Sequence, residues 1–219
     1  MTQPHTWQHK SRRLWRAFPV TLGVIALCIA VAVLSMGGEN FAVIRWLTFV
    51  DVVIHGEWLT FDTLEHALET KQWWRLWTPI FLHFGLLHIA MNSLWYWELG
   101  RRIEARHGSL GLIGLTSVAA LGTNAAQYFT DGPAIFGGLS GVLYALLGYC
   151  WVFQRLAPTP AFALPRGVAG MMLIWLVVCL LDIPSLLGLG EIANAAHVSG
   201  LLIGVFAGLG SGFVARCAR

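Results

Sequence analysis

The stretch that decides the fold runs from Ile192 to Ala215 and reads IANAAHVSGLLIGVFAGLGSGFVA. It contains no Asp, Glu, Lys or Arg, and it exceeds the roughly 20 apolar residues that a helix needs to cross a bilayer. Along one face, glycine recurs every four residues, at Gly200, Gly204, Gly208 and Gly212. Small residues at this spacing form a flat ridge on which a second helix can pack closely. The stretch therefore predicts a membrane-spanning helix that packs tightly against another helix.

The composition of the whole chain agrees with a membrane protein. Of its 219 residues, 57% are hydrophobic and only 11% are charged, and the mean hydropathy is +0.66. Soluble domains are nearer a quarter charged, so a water-soluble globule and a disordered chain are both excluded. The four cysteines stand in apolar runs without paired spacing, which indicates small core residues rather than a disulfide framework or a zinc site.

Uncharged apolar runs predict six membrane-spanning helices. Five runs are long enough for a full crossing, and Gly167 to Leu181 is a shorter run, rich in Leu, Val, Ile and Met, that we interpret as a short fifth span. The first run is too long for the apolar part of a signal peptide, and no cleavage site follows it. We therefore expect an all-α membrane protein with an N-terminal segment 1–16, a six-helix domain 17–215 and a tail 216–219, its helices lying near 17–38, 76–97, 107–130, 138–154, 167–183 and 193–215.

Positive charge marks one side of the predicted bundle as cytoplasmic. With six spans, both termini and the loops 98–106 and 155–166 share one side, which holds all but three of the 14 Lys and Arg residues. The exceptions are Arg45, Lys71 and Arg75. Because Lys and Arg collect in cytoplasmic loops, the pattern predicts that both termini are cytoplasmic.

The connection between the first two predicted spans, residues 39–75, is unusually long and aromatic. It includes Trp46, Trp58, Trp73 and Trp74. Long connections are usually functional, and tryptophan is enriched where a membrane meets water. We expect this first connection to lie in the outer interface, either as a structural clamp or with a direct part in handling substrate.

Polar residues within the predicted spans fall in three places, and such groups are functional candidates because they are costly there. The first place is the second span, which carries His83, His88 and Asn92. His88 and Asn92 share a face because they are four residues apart. By themselves they could be polar contacts between helices. A metal site is disfavoured because there is no H-E-x-x-H pattern.

The second place is the start of the fourth span, where residues 137–141 read GGLSG. Adjacent glycines are unfavourable within a helix, so we expect the helix to begin near Leu139 and Ser140 to lie at a buried helix N-terminus. Unpaired N–H groups and the positive end of the helix dipole point toward that position. The structural alternative is a simple serine N-cap.

The third place is His197, at the start of the last span. Gly141, Ala145 and Gly148 offer a small-residue surface that matches the glycine ridge. If these two surfaces pack, Ser140 and His197 meet near the outer ends of their helices. A serine becomes a nucleophile when a base takes its proton, and histidine is the most frequent base in such reactions.

Together the three places predict a site for acyl transfer. The oxyanion of the tetrahedral intermediate needs hydrogen-bond donors, and the Asn92 amide, the His88 imidazole and the Ser140 backbone N–H are suitable. No Asp lies in the spans to orient His197, so a Ser–His dyad is predicted rather than a triad. Tyr144, one turn after Ser140, is placed to stack beneath His197 and fix its orientation.

These motifs resemble those of the rhomboid family of intramembrane serine proteases, in its six-helix bacterial type. Residues 83–92 fit the pattern H-x-x-x-x-H-x-x-x-N, residues 138–141 fit G-x-S-G, and residues 196–204 fit A-H-x-x-G-x-x-x-G. Trp74-Arg75 resembles the W-R motif of the first external loop, and residues 100–104 resemble a segment that follows the second helix. The resemblance extends from about residue 17 to 215.

The resemblance implies an endopeptidase of the bacterial inner membrane that cleaves transmembrane protein substrates within the lipid bilayer. It implies no metal or other cofactor and no nucleic-acid partner, and it places substrate access beside the fifth helix. The implied site has Ser140 as nucleophile, His197 as general base, an oxyanion site from His88, Asn92 and the Ser140 amide, Gly138 to admit substrate backbone, and His83 and Tyr144 in support.

Three alternatives remain open at this stage. A catalytically inactive, client-binding rhomboid-like protein would lack the serine or the histidine, and both are present here. A rhomboid specialised for C-terminal sorting tails would share most of the motifs. A small transporter or channel is disfavoured because the sequence has no inverted repeat and no intramembrane acid for proton coupling. The sequence indicates no oligomeric state.

Overall fold

The computed structural model describes residues 17–56, 58–188 and 190–219, so the predicted N-terminal segment 1–16 lies outside the described residues. The protein is mostly helical, with one small two-stranded sheet. In chain order the elements are α1 (Pro19–Leu34), α2 (Phe41–Leu47), β1 (Val52–His55), β2 (Trp58–Phe61), α3 (Leu64–Glu69), α4 (Leu86–Asp131), α5 (Ser140–Leu156), α6 (Val168–Leu180), α7 (Ile183–Leu186) and α8 (Asn194–Cys217).

Two of the described helices, α4 and α8, are long and apolar enough to cross a membrane by length and composition. The helices α1 and α6 are also apolar, but they have only 16 and 13 residues. Length and composition therefore identify two membrane-length helices among the described residues and do not test all six predicted crossings.

The helix α4 contains two of the predicted spans in one element that bends at Gly108. Gly108 has φ 72° and ψ 176°, which is not helical, and glycine adopts such a positive φ without steric cost. The 46-residue element therefore consists of two helical segments, one on each side of Gly108. They overlap the predicted spans 76–97 and 107–130, but residues 98–106, which were predicted as a loop, are helical.

The first of these segments begins later than the sequence predicts. The helix α4 begins at Leu86, whereas Trp73–Leu76 and Thr78–Phe81 form two short 3-10 helices. Pro79 has no N–H to donate to a helix, and Gly85 adopts φ 88° immediately before α4. The structure therefore differs from the predicted start at residue 76, because the apolar run there continues through a turn rather than a helix.

The helices α5 and α8 pack with their backbones in direct contact, as the glycine ridge predicts. A Cβ atom built on Gly200 would clash with the carbonyl oxygen of Gly141, and one on Gly204 with that of Ala145. From the other side, a Cβ on Gly148 would lie 2.7 Å from the carbonyl oxygen of Leu201. Every residue from 141 to 150 is buried, so α5 is the central helix of the bundle.

Glu104 of α4 caps the start of α1. Its carboxylate accepts hydrogen bonds from the backbone N–H groups of Val20 and Thr21 at 2.9 and 2.8 Å and from the Thr21 hydroxyl at 2.7 Å. It also accepts one from Ser109, immediately after the bend at Gly108. The first N–H groups of a helix have no partner within it, so a residue distant in sequence provides the cap of α1.

The first connection, residues 39–75, is fastened by the buried side chain of Arg75. Its guanidinium donates to the carbonyl oxygens of Arg45 and Thr48 at 2.6 and 3.0 Å and lies 3.3 Å from the carboxylate of Asp51. Burial alone would raise the pKa of Asp51, but a backbone N–H and the two arginines hold that pKa below its ordinary value. Asp51 therefore remains a charged partner for the buried arginine.

We predict that Gly204→Ala destabilises the protein and that Gly210→Ala does not. The new methyl group at residue 204 must displace backbone of α5, which we expect to cost about 1–3 kcal/mol or more. Gly210 lies on the same helix with nothing within 4 Å of its Cβ position, so alanine there should be neutral or stabilise by about 0.5–1 kcal/mol. Thermal unfolding in detergent micelles measures both variants, and equal midpoints would contradict the backbone contact.

Candidate active site

The side chains of Ser140 and His197 are hydrogen-bonded, with 2.7 Å between Ser140 Oγ and His197 Nε2. Ser140 is the first residue of α5, and His197 lies in the first turn of α8. The close packing of these two helices at their glycines brings the two side chains together. His197 is only 4% exposed. A hydroxyl held at this distance from an imidazole is the arrangement in which a base can activate a nucleophile.

The glycines before Ser140 let the chain pass very close to the 3-10 turn ahead of α4. The N–H of Gly138 donates to the carbonyl oxygen of Pro79 at 3.0 Å. A Cβ atom on Gly137 would lie 2.6 Å from that same oxygen. Gly138 adopts φ 116°, a conformation that side chains other than glycine rarely adopt. Two glycines in this place therefore set the position at which α5 begins.

His88 lies against the glycine segment, residues 137–138, and the position of its proton is defined. Its Nδ1 accepts a hydrogen bond from the backbone N–H of Phe84 at 3.3 Å, so the proton of the neutral ring is assigned to Nε2. A Cβ atom on Gly138 would lie 2.7 Å from this Nε2. The Nε2–H group therefore stands beside the backbone that leads into Ser140, where a hydrogen-bond donor is available.

Asn92 is buried one turn after His88 on α4. Its Nδ2 donates to the carbonyl oxygen of His88 at 2.9 Å. Its buried Oδ1 has no hydrogen-bond partner among the described residues. An amide nitrogen carries two N–H groups, so one of them remains for a further acceptor.

His83 connects the 3-10 turn before α4 to the start of α5. Its Nδ1 lies 3.1 Å from the carbonyl oxygen of Phe81, which can only accept, so that nitrogen carries the proton. Its Nε2 then accepts from the N–H of Leu139 at 3.5 Å. His83 is fully buried, and its ring lies 5.0 Å from that of His88. Its contacts hold backbone in place on both sides.

Tyr144 contacts His197 and also binds α6. The two ring centres are 5.0 Å apart and the planes are inclined by 49°, so the predicted contact exists in a tilted form. The Tyr144 hydroxyl donates to the carbonyl oxygen of Met172 at 3.0 Å. A single side chain thus touches the imidazole and fixes the position of α6 against α5.

Two polar side chains that the sequence reasoning missed hold the start of α8. Gln127 accepts a hydrogen bond from the N–H of Ala196 at 3.2 Å, and Asn194 donates to the carbonyl oxygen of Cys179 at 3.0 Å. A signal was available for both, since Gln127 lies in an apolar span and Asn194 precedes His197 by one helical turn. Among the described residues, no group of three or more His, Cys, Asp and Glu side chains could hold a metal ion.

We predict that Gly138→Ala impairs reaction of Ser140 with a fluorophosphonate, a reagent for activated serine hydroxyls, by at least about tenfold. The methyl group would overlap the His88 ring and strain the backbone, at roughly 1–3 kcal/mol for the strain alone. Gly132→Ala is the matched control, since Gly132 also has a positive φ, of 82°, but nothing within 4 Å of its Cβ position. Equal labelling rates for the two variants would contradict the assigned contact.

Comparisons with known proteins identify relatives of this chain. Residues 70–212 match the family model described as Rhomboid domain. Over 190 residues, the chain is 42% identical to proteins named Rhomboid protease GlpG from Yersinia pestis (strain Pestoides F) and from Serratia proteamaculans (strain 568). These matches cover 87% of this chain and 62% of each relative, so the chain spans less than two thirds of their length. The domain match and the identity over most of the chain show that it belongs to the rhomboid family.

Proposed function

We propose that the protein is an intramembrane serine endopeptidase that cleaves transmembrane segments of other membrane proteins. The observation that carries the proposal is the 2.7 Å contact between Ser140 Oγ and His197 Nε2 at the paired starts of α5 and α8. Membership of the rhomboid family and the protease names of the relatives point to the same chemistry. The reaction needs no metal ion or organic cofactor.

In this proposal the two side chains exchange one proton in each half of the reaction. His197 Nε2 takes the hydroxyl proton as Ser140 Oγ bonds to the scissile carbonyl carbon and the carbonyl electron pair moves onto oxygen. The imidazolium then gives the proton to the amine nitrogen as the C–N bond breaks, leaving an ester on Ser140. A water molecule next attacks the ester carbon, His197 takes its proton, and the proton returns to Ser140 Oγ as the acid leaves.

The oxyanion is stabilised by donors on both sides of the glycine segment. The His88 Nε2–H and the second N–H of Asn92 come from α4, and the backbone N–H of Ser140 comes from the start of α5, where the helix dipole also favours negative charge. Gly138 has no side chain, so substrate backbone can approach Ser140 directly. His83 and Tyr144 support the site through the contacts described above.

We further propose six crossings of a bacterial inner membrane with both termini in the cytoplasm. Support comes from the charge asymmetry of the loops and from the two segments of α4 together with α1, α5, α6 and α8. The 17 residues of α5 span about 25 Å, less than a core of about 30 Å. If α5 ends at the cytoplasmic surface of the membrane, its first residue, Ser140, therefore lies below the outer surface of the membrane.

Two exposed elements fit this placement. The hairpin β1–β2 in the first connection exposes apolar side chains, with Trp58 77% exposed, as suits a segment in the outer interface.

The helix α6 has 13 residues, and its side chains Ile174 and Trp175 point outward. Its side-chain links to the bundle include the hydrogen bonds from Tyr144 and Asn194. A transmembrane substrate needs a lateral route to Ser140, and we place this route beside α6.

Neither of the two rhomboid-like alternatives from the sequence gains support. An inactive client-binding protein has no use for a hydrogen-bonded serine and histidine, and both are present here in contact. No contact of the described residues indicates a preference for C-terminal sorting tails over other transmembrane segments.

We predict that Ser140→Ala and His197→Ala each abolish cleavage of a fluorescent transmembrane substrate by the purified protein in detergent or in vesicles. The double variant should be no worse than either single variant, because the two groups act in the same steps. The readout is product formation over time, together with thermal unfolding to verify that each variant folds.

The control for the dyad is Ser199→Ala, since within the described part of the chain the Ser199 hydroxyl bonds only to carbonyl oxygens of its own helix. This variant should cleave at the normal rate. EDTA should leave cleavage unchanged. Turnover by Ser140→Ala or His197→Ala would contradict the proposed roles, and loss of activity that zinc restores would indicate a metal enzyme instead.

We predict that His88→Ala and Asn92→Ala lower kcat far more than they change KM. Loss of one preorganised oxyanion donor typically costs about 10²–10³ in rate. Substrate cleavage at saturating concentrations gives kcat directly. A raised KM with an unchanged kcat would instead make these residues docking or packing elements.

A further inference from the structure

The proposed role of His197 requires a definite position for its proton. To accept the Ser140 hydroxyl proton, Nε2 must be unprotonated, so the neutral ring carries its proton on Nδ1. The Nδ1 atom is buried and has no hydrogen-bond partner within the part of the chain that the structure describes. A buried N–H without an acceptor is unfavourable, and without an acceptor nothing prevents the proton from residing on Nε2 instead.

Asn194 carries a complementary unpaired atom on the same helix. Its Nδ2 donates to the carbonyl oxygen of Cys179 at 3.0 Å, and because a carbonyl can only accept, this assignment of the amide fixes Oδ1 as an acceptor. The Oδ1 atom is buried and also has no partner among the described residues. Asn194 lies three residues before His197, a spacing that puts Cβ atoms about 5–6 Å apart on one helical face.

Three other polar groups near His197 have hydrogen-bond partners elsewhere. The Tyr144 hydroxyl donates to Met172, the Gln127 carbonyl oxygen accepts from the N–H of Ala196, and Nδ1 of His88 accepts from Phe84. None of them is hydrogen-bonded to His197 Nδ1, whereas Asn194 Oδ1 has no partner at all among the described residues.

We propose that Asn194 is a positioning residue for His197, with one water molecule accepting the Nδ1–H of the imidazole and donating to Asn194 Oδ1. The Nδ2 bond to Cys179 identifies Oδ1 as the acceptor that remains available. The inference rests on the proposed function, and it adds a neutral third member to the predicted dyad. It also links the base to the end of α6.

Two substitutions separate this role from a purely structural one. Asn194→Asp keeps an oxygen acceptor but loses the N–H that binds the carbonyl of Cys179. Asn194→Leu has similar volume and loses both. If Oδ1 orients His197, the leucine variant should lose about tenfold in kcat, the usual effect of one neutral hydrogen bond, with KM unchanged, whereas the aspartate variant should keep most of its kcat. If Asn194 only ties α8 to α6, both variants should lose alike, which would overturn the proposal.

The proton position can be measured without any substitution. Nitrogen-15 NMR of histidine-labelled protein in detergent, with His197 assigned from the His197→Ala spectrum, should show the proton on Nδ1 in the unmodified chain. Asn194→Leu should move a larger share of molecules to the Nε2–H form. A proton on Nε2 of the unmodified protein would overturn the proposal whether or not the variants fold.

Controls distinguish failure of this inference from failure of the proposed function. Ser199→Ala, on the same helix, should leave kcat and the histidine spectrum unchanged. If Ser140→Ala is inactive while Asn194→Leu has normal kcat and KM, only the positioning role is overturned. If Ser140→Ala still cleaves, the proposed function itself fails.

Discussion

The structure depends most on the contact between the backbones of α5 and α8. Gly200 and Gly204 lie so close to the carbonyl oxygens of α5 that a methyl group does not fit. Side-chain burial contributes little to association between helices in lipid, so close approach and good packing must supply the attraction. The same contact decides the separation of the two helix starts, and hence the distance between Ser140 Oγ and His197 Nε2. Stability and chemistry thus depend on the same interface.

The turn before α4 supplies the second constraint on the site. Backbone polar groups that leave helical structure in a membrane need internal partners, and here they find them in one another and in His83. The carbonyl oxygens of Pro79 and Phe81 are bound by Gly138 and His83, and the N–H of Leu139 faces the same histidine. Non-helical chain therefore persists beside Ser140 because each of these backbone groups has a partner.

Much of the fold and the site was predictable from spacing. The four-residue glycine period predicted the helix contact, and the positions of Ser140 and His197 within their apolar runs predicted that the two would meet. His88 and Asn92 followed from their shared helical face. These features depend on periodicity along one chain segment, which a sequence displays directly.

The remaining features depend on bonds between distant segments. The start of α4 at Leu86 was not predictable from hydropathy, because hydropathy does not distinguish an apolar turn at residues 76–85 from an apolar helix. The fastening of the first connection by Arg75 depends on carbonyl oxygens about 30 residues away in sequence, and backbone acceptors leave no trace in residue types. The bond from Asn194 to the backbone carbonyl of Cys179 likewise leaves no trace in residue types, although the spacing of Asn194 from His197 does.

The cap that Glu104 places on α1 has a consequence for how the chain is made. The N–H of Val20 and the carboxylate that binds it are separated by 84 residues. At a synthesis rate of about 5–20 residues per second, the ribosome needs roughly 4–17 s to deliver Glu104 after Val20. During that interval the exposed donors of α1 must be satisfied by water or lipid head groups. The N-terminus of α1 therefore acquires its final cap only after the first segment of α4 has been translated.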